Sequence, residues 1–167
     1  HIFAPEGLLA QTIHFTRRRF MSEHSDSSMI AFLPDEASWV QQKLPHLTLV
    51  YAGPIAEAGS SLKRDLLLET SLLAAFVPRL WLPVLGVDQF GDDVDRVDVL
   101  RLLRTVPLDV ARRMVESYSK SQHKTYNPHV TIGPVGSANQ VDLPKGVFFS
   151  RVMLSGGDDH VVFDLSG

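Results

Sequence analysis

The 167 residues contain no cysteine, so disulfide scaffolds, thiol catalysis and thiolate-held zinc or iron–sulfur centres are excluded. A chain without thiols suits a reducing compartment, and a cytoplasmic location is the expectation. No apolar run reaches the roughly 18–20 residues a membrane helix needs, which excludes a protein that spans with helices. No Gly-rich loop follows a strand pattern, and that removes Rossmann and Walker nucleotide sites. An excess of positive charge is lacking too: 16 Lys+Arg against 19 Asp+Glu leave a net charge of −3. A protein that grips a long duplex by its phosphates needs a broad basic surface. No long duplex partner is expected, while a small anionic ligand at a local site remains open. Low-complexity tracts are absent and 44% of residues are hydrophobic, enough to bury the core of one domain with two similar halves.

Residues 1–28 differ in texture from the rest. An apolar patch (Gly7–Ile13) precedes a basic cluster (Arg17–Arg19) and a polar stretch (Ser22–Ser28), the reverse of a secretory signal. The segment reads as an N-terminal extension, with Met29 or Met21 an alternative start of the core domain that runs to residue 167. Met29–Leu33 reads as a buried strand stopped by Pro34. Asp35 offers an N-cap for a helix over Glu36–Leu44 that faces inward with Trp39, Val40 and Leu44. His46–Ala52 returns as a strand. Leu62–Phe76 has helical spacing in Leu62, Leu66, Leu73 and Phe76, widened by Leu67 and Leu68. Strands follow at Leu80–Val87 and Asp95–Leu103 around a Gly91-Asp92-Asp93 turn. A helix from Pro107 to about Lys120 turns Val110, Met114, Val115 and Tyr118 inward. His129–Gly133, Val147–Leu154 and His160–Leu165 complete an α+β chain with largely antiparallel pairing.

Comparing the halves exposes a repeat. Pro45-His46-Leu47-Thr48-Leu49, then Gly53-Pro54, recurs as Pro128-His129-Val130-Thr131-Ile132, then Gly133-Pro134, with the histidines 83 residues apart. Alternation along a strand puts His46 and Thr48 on one face and Leu47 and Leu49 on the other. His129 and Thr131 stand likewise opposite Val130 and Ile132. A third His-x-Thr, His14-Phe15-Thr16, lacks the proline and runs into arginines. With 7 threonines in 167 residues, a histidine meets one two places on about once in 24 tries, so this match is set aside as coincidence.

Two imidazoles suit in-line displacement at phosphorus, one as base for the attacking hydroxyl and one as acid for the leaving oxygen. Threonine hydroxyls beside them would donate to the non-bridging oxygens as charge builds there. Such chemistry needs no metal and no cofactor, and none is expected. The carboxylates Asp92, Asp93, Asp95, Asp98, Asp158 and Asp159 cluster in turns instead. Tyr51 follows the first motif strand, and Lys124 and Tyr126 precede the second. Phe148 and Phe149 face opposite ways; Phe149 is the candidate base platform. Arg151 is a candidate phosphate contact. Trp39 and Trp81 read as packing residues, and His123 and His160 as ordinary loop or surface histidines.

With these residues in hand, the chain resembles the two-histidine (2H) phosphoesterases, which include the LigT-like 2′,3′-cyclic phosphodiesterases once called 2′-5′ RNA ligases. His46-Leu47-Thr48 and His129-Val130-Thr131 match the paired motif in order and spacing, and the resemblance covers Met29 to Leu165. Leu82–Gly91 with the strand around Val97–Leu102 is similar to the family's central hairpin, and Met153-Leu154-Ser155 to its last-lobe strand. The resemblance implies a bilobal, pseudo-twofold fold with two antiparallel sheets lining a central cleft and helices outside. It implies a monomeric phosphodiesterase acting on RNA ends or small nucleotides through 2′,3′-cyclic phosphate or 2′-5′/3′-5′ bonds, with the acid and base roles of the histidines unassigned. Two alternatives stand beside it: degradation of host cyclic-nucleotide immune signals, as in viral and phage members, and a silent nucleotide- or RNA-binding module.

Overall fold

In a computed structural model of the chain, residues 13–17, 27–41, 44–121, 125–156 and 159–167 are described. Eight strands are β1 (Ile13–Arg17), β2 (Ser27–Pro34), β3 (Leu47–Pro54), β4 (Leu80–Phe90), β5 (Val97–Leu102), β6 (His129–Pro134), β7 (Gly146–Gly156) and β8 (Asp159–Asp164). Two helices join them, α1 (Ser60–Phe76) and α2 (Val106–Val115). The strands run in the order β1-β8-β7-β2-β3-β6-β5-β4, all paired antiparallel. β7 also pairs with β4, so β7, β2, β3, β6, β5 and β4 close into a ring. Where two separate sheets were expected, the hydrogen-bonded ladder is continuous. The two halves meet at its narrowest link, the single residue pair Leu47 and Val130 between β3 and β6.

The apolar run of β2 is buried along its whole length because it has a packed layer on each face. Ile30 and Phe32 face the main core with Leu47, Leu49, Val130 and Phe149, while Met29, Ala31 and Leu33 face a smaller cluster with Met153 and Val162. Residues in the segment 13–17 pair with β8 through five register positions, so this part of the N-terminal segment forms one margin of the sheet. Among the described residues, no helix is long and apolar enough to cross a membrane.

Both helices lie against the main core with narrower apolar faces than the sequence suggests. In α1 the buried arc is Leu66, Leu67, Thr70, Ser71, Leu73 and Ala74, while Leu68 and Phe76 are exposed. At about 100° per residue, Leu68 and Phe76 fall beyond the two edges of that arc. The buried Thr70 and Ser71 hydroxyls donate to the carbonyls of Leu66 and Leu68, which satisfies them without a tertiary partner. α2 starts at a Thr105 cap whose side chain accepts from the Leu108 N–H at 3.4 Å. It buries Leu108, Ala111 and Val115, leaves Val110 exposed, and tightens into a 3-10 turn over Glu116–Tyr118.

The helix expected over Glu36–Leu44 is not formed in the described part of that span; residues 35–41 run as bends and a turn. Strand carbonyls take the donors at the two ends of this stretch, Asp35 N–H donating to Phe148 at 2.9 Å and Gln41 N–H to Ile132 at 2.8 Å, while Val40 N–H closes a local turn on Ala37 at 3.0 Å. Trp39 and Val40 pack on the main core and Leu44 on the smaller cluster, so the apolar residues serve two layers rather than one helical face.

Candidate active site

The two His-x-Thr segments meet where the halves join. Leu47 opposes Val130 in an antiparallel register, and both are fully buried. Continuing that register by one residue in each direction sets His46 opposite Thr131 and Thr48 opposite His129. Alternation turns these four side chains to the face away from the main core, and all four are half-buried. General antiparallel geometry then gives about 5 Å between the Cβ atoms of each His–Thr pair and about 7–8 Å across the diagonal between the histidines.

The prolines explain why both rings are held alike. A residue before proline is driven to extended backbone, and the carbonyl two places before each histidine faces its ring. His46 Nδ1 lies 3.0 Å from the Leu44 carbonyl and His129 Nδ1 2.8 Å from that of Asn127. A carbonyl only accepts, so Nδ1 carries the proton and the neutral ring has its lone pair on Nε2. His129 is further held by Phe90, edge to face with ring centroids 4.6 Å apart. Among the described residues, Thr48 Oγ1 meets only the weak acceptor Met29 Sδ, at 3.8 Å.

A cavity of about 570 Å³ opens beside Thr48 and His129, within the range of small-molecule sites. Its wall comes from β3, the end of β4 (Gln89, Phe90) with Gly91 of the turn after it, the loop before β6 (Thr125, Tyr126, Asn127) and Arg112 of α2. Tyr126 ties this wall to the motif strand: its hydroxyl donates to the Thr48 carbonyl at 2.8 Å. The Arg112 guanidinium lies 5.0 Å and that of Arg104 5.8 Å from the Tyr126 ring centroid. Arg104 is paired with Asp109 at 2.8 Å. Burial drives the Tyr126 pKa well above the usual tyrosine value; Arg112 and Arg104 oppose the rise and Asp109 adds to it. The hydroxyl therefore stays a donor through the neutral range.

Of the residues singled out in the sequence, Thr48, Tyr51, Tyr126 and His129 line the cavity, while His46 and Thr131 lie next to it on the same face. Arg151 opposes Leu33 in β2 and shares the face of Ala31 and Thr48, two strands from the motif, outside the cavity wall. Phe149 is a correction: it is fully buried against Phe32, centroids 6.2 Å apart, and it is Phe148 that is exposed. Lys124, His123 and Asp158 lie outside the described residues. The acidic turn has structural work: Asp92 accepts from the N–H groups of Val94 and Asp95, and buried Asp98 from those of Gly136 and Ala138. Residues the sequence did not flag are Gln89, Phe90, Arg112 and Asn127 in the cavity wall and Arg101, which opposes His129 in β5 and pairs with Asp88 at 3.8 Å. Only their adjacency to a turn or to the second motif marked any of them.

No protein-family profile and no curated protein sequence matches the chain. Solved structures do. TT0787 of Thermus thermophilus is 19% identical with a TM-score of 0.57, covering 84% of this chain and 98% of its own. A structure described as a phosphoesterase is 18% identical with a TM-score of 0.51, covering 85% and 99%. Escherichia coli LigT in complex with ATP is 15% identical with a TM-score of 0.50, again covering 85% and 99%. At these identities the likeness is one of fold, the fold shared by LigT, TT0787 and the structure described as a phosphoesterase.

Proposed function

We propose that the protein is a metal-independent phosphodiesterase in which His46, Thr48, His129 and Thr131 cleave 2′,3′-cyclic phosphates, or 2′-5′ and 3′-5′ bonds, in RNA ends or small nucleotides. The observation that supports this best is the register of β3 and β6, which crosses each histidine with the other motif's threonine and holds both rings by the same Nδ1 contact. On a cyclic phosphate, one Nε2 takes a proton from water as its oxygen bonds to phosphorus. The phosphorus–oxygen bond to the ribose breaks on the opposite side, and the second imidazole, starting protonated, delivers its proton to that oxygen. The product is a phosphomonoester. Thr48 and Thr131 donate to the non-bridging oxygens, whose charge rises in the transition state. The sequence repeat favours residues 29–167 as one catalytic domain of two lobes, each bringing one His-x-Thr motif to the phosphate.

A small nucleotide is the substrate class we favour. The cavity volume suits one, the net charge of −3 suits no long duplex, and the fold's E. coli representative is solved with ATP. The test is hydrolysis of a panel of 2′,3′-cyclic nucleotides, 2′-5′ dinucleotides and cyclic oligonucleotides in EDTA. Wild type should turn over at least one member, with rates about 10²–10⁴-fold lower in His46→Ala and His129→Ala. Activity that survives both substitutions refutes the mechanism, and activity abolished by EDTA refutes its metal independence.

A further inference from the structure

Arg112 is the charged side chain of the cavity wall, and the proposed reaction does not use it. It sits on α2 with Nε and Nη1 buried, and neither nitrogen has a hydrogen-bond partner among the described residues. The nearest partners are a ring and a spent carboxylate. Tyr126 offers its π face at 5.0 Å, and Asp109, the carboxylate that acts on this ring, is bonded to Arg104. Among the described residues, two guanidinium groups and one carboxylate thus surround Tyr126, leaving one positive charge whose Nε and Nη1 are buried. Buried donors without acceptors are rare in folded proteins, and each asks for a missing partner. Low local dielectric strengthens the pull of that charge on an anion entering the cavity.

The same tyrosine fixes where such an anion would lie. Its ring carries Arg112 at 5.0 Å and its hydroxyl is bonded to the Thr48 carbonyl, so Tyr126 links the guanidinium to the motif strand. An anion at Arg112, which stands on α2 rather than on the motif strands, is read as a second group on a ligand whose scissile phosphate lies between the histidines. Ser119, Ser121 and Thr125 bring hydroxyls to that part of the wall.

Resting on the phosphodiesterase reading above, we infer that Arg112 is the receptor for a second phosphate, and that the preferred substrates are nucleotides or short oligonucleotides bearing a phosphate besides the one cleaved. The experiment is equilibrium binding, which needs no turnover. Adenosine 2′,5′-bisphosphate and adenosine 2′-monophosphate share the product-like 2′-phosphate and differ by one phosphate, and calorimetry compares their affinities in wild type, Arg112→Gln and Arg112→Lys. Wild type should prefer the bisphosphate at least tenfold, Arg112→Gln should lose that preference, and Arg112→Lys, which keeps the charge, should retain part of it. Equal binding of the two probes by wild type, binding of neither, or a preference that persists in Arg112→Gln overturns the inference. An arginine that only packs against Tyr126 would shift both affinities together. If Arg112→Gln does not fold, NMR of the Arg112 Nε–H in wild type decides: it should move with the bisphosphate and not the monophosphate, and an unmoved resonance overturns the inference. Hydrolysis of the panel fails or succeeds independently of this preference.

Discussion

Each motif histidine has its tautomer set by a carbonyl two residues back, with a proline between, so the nitrogen that keeps its lone pair is defined by local sequence. The threonines are set by the register instead, each across from the other motif's histidine. Removing a hydroxyl should therefore act on the transition state: Thr48→Val and Thr131→Val should each lower kcat about a hundredfold with little change in KM. Steady-state kinetics check this, and a rise in KM alone would make the threonines ordinary binding groups. Tyr126 gives a prediction at alkaline pH. Its pKa is raised in the folded protein by burial, with Asp109 adding and Arg112 and Arg104 opposing. The folded state thus holds this proton more tightly than the unfolded chain, whose tyrosines ionise near 10. The resulting stability is complete below about pH 10 and is lost as pH rises from there toward the folded-state value. Urea midpoints should fall more steeply above pH 10 in wild type than in Tyr126→Phe, and parallel curves would contradict it. The motif was legible in sequence because period two is enough to share a face. Phe149 was not. Counting back by twos from Val152 and Leu154 turns Phe148 inward, but the register shifts between Leu33 and Pro34 and sends Phe149 to the core instead.

At the scale of elements, the end of β4, just before its turn into β5, delivers Gln89 and Phe90 to the cavity and Phe90 to the His129 ring. Gly91 makes that turn with φ +104°, and a Cβ there would stand 2.7 Å from the Asp95 carbonyl oxygen. Backbone and neighbour both oppose a side chain. Gly91→Ala should cost about 1–3 kcal/mol of stability and reduce kcat/KM by displacing Phe90; unchanged urea midpoints and rates would refute this. The glycine and its acidic neighbours announced the turn in sequence, but not that its flank would touch a histidine 39 positions away (129 − 90). Long-range pairing decides that, as it does over residues 35–41, where strand carbonyls take the N–H groups of Asp35 and Gln41. Strands with period-two faces were readable from local pattern; elements whose hydrogen bonds go to distant partners were not.

For the molecule as a whole, closure of the ring through β7 and β4 leaves β8 outside it, with β7 on one side and β1 on the other. β1 lies in the segment read as an extension, and it contains the third His-x-Thr, His14 to Thr16. Four strand spacings separate β1 from β3, about 19 Å along the sheet. That is too far for His14 to join a phosphate held between His46 and His129. Cutting the chain before Ser27 should thus separate stability from catalysis. It removes the five backbone pairing positions on β8 and uncovers a strand edge rich in Val161, Val162 and Phe163, a template for edge-to-edge association. The truncated protein should unfold at lower temperature and self-associate on size-exclusion chromatography, while its monomeric fraction keeps kcat/KM within about twofold of the full chain, since surface changes remote from a site leave its chemistry in place. A folded, monomeric truncated protein without turnover would place part of the active site in residues 1–26 and break the assignment of catalysis to the two register-paired motifs.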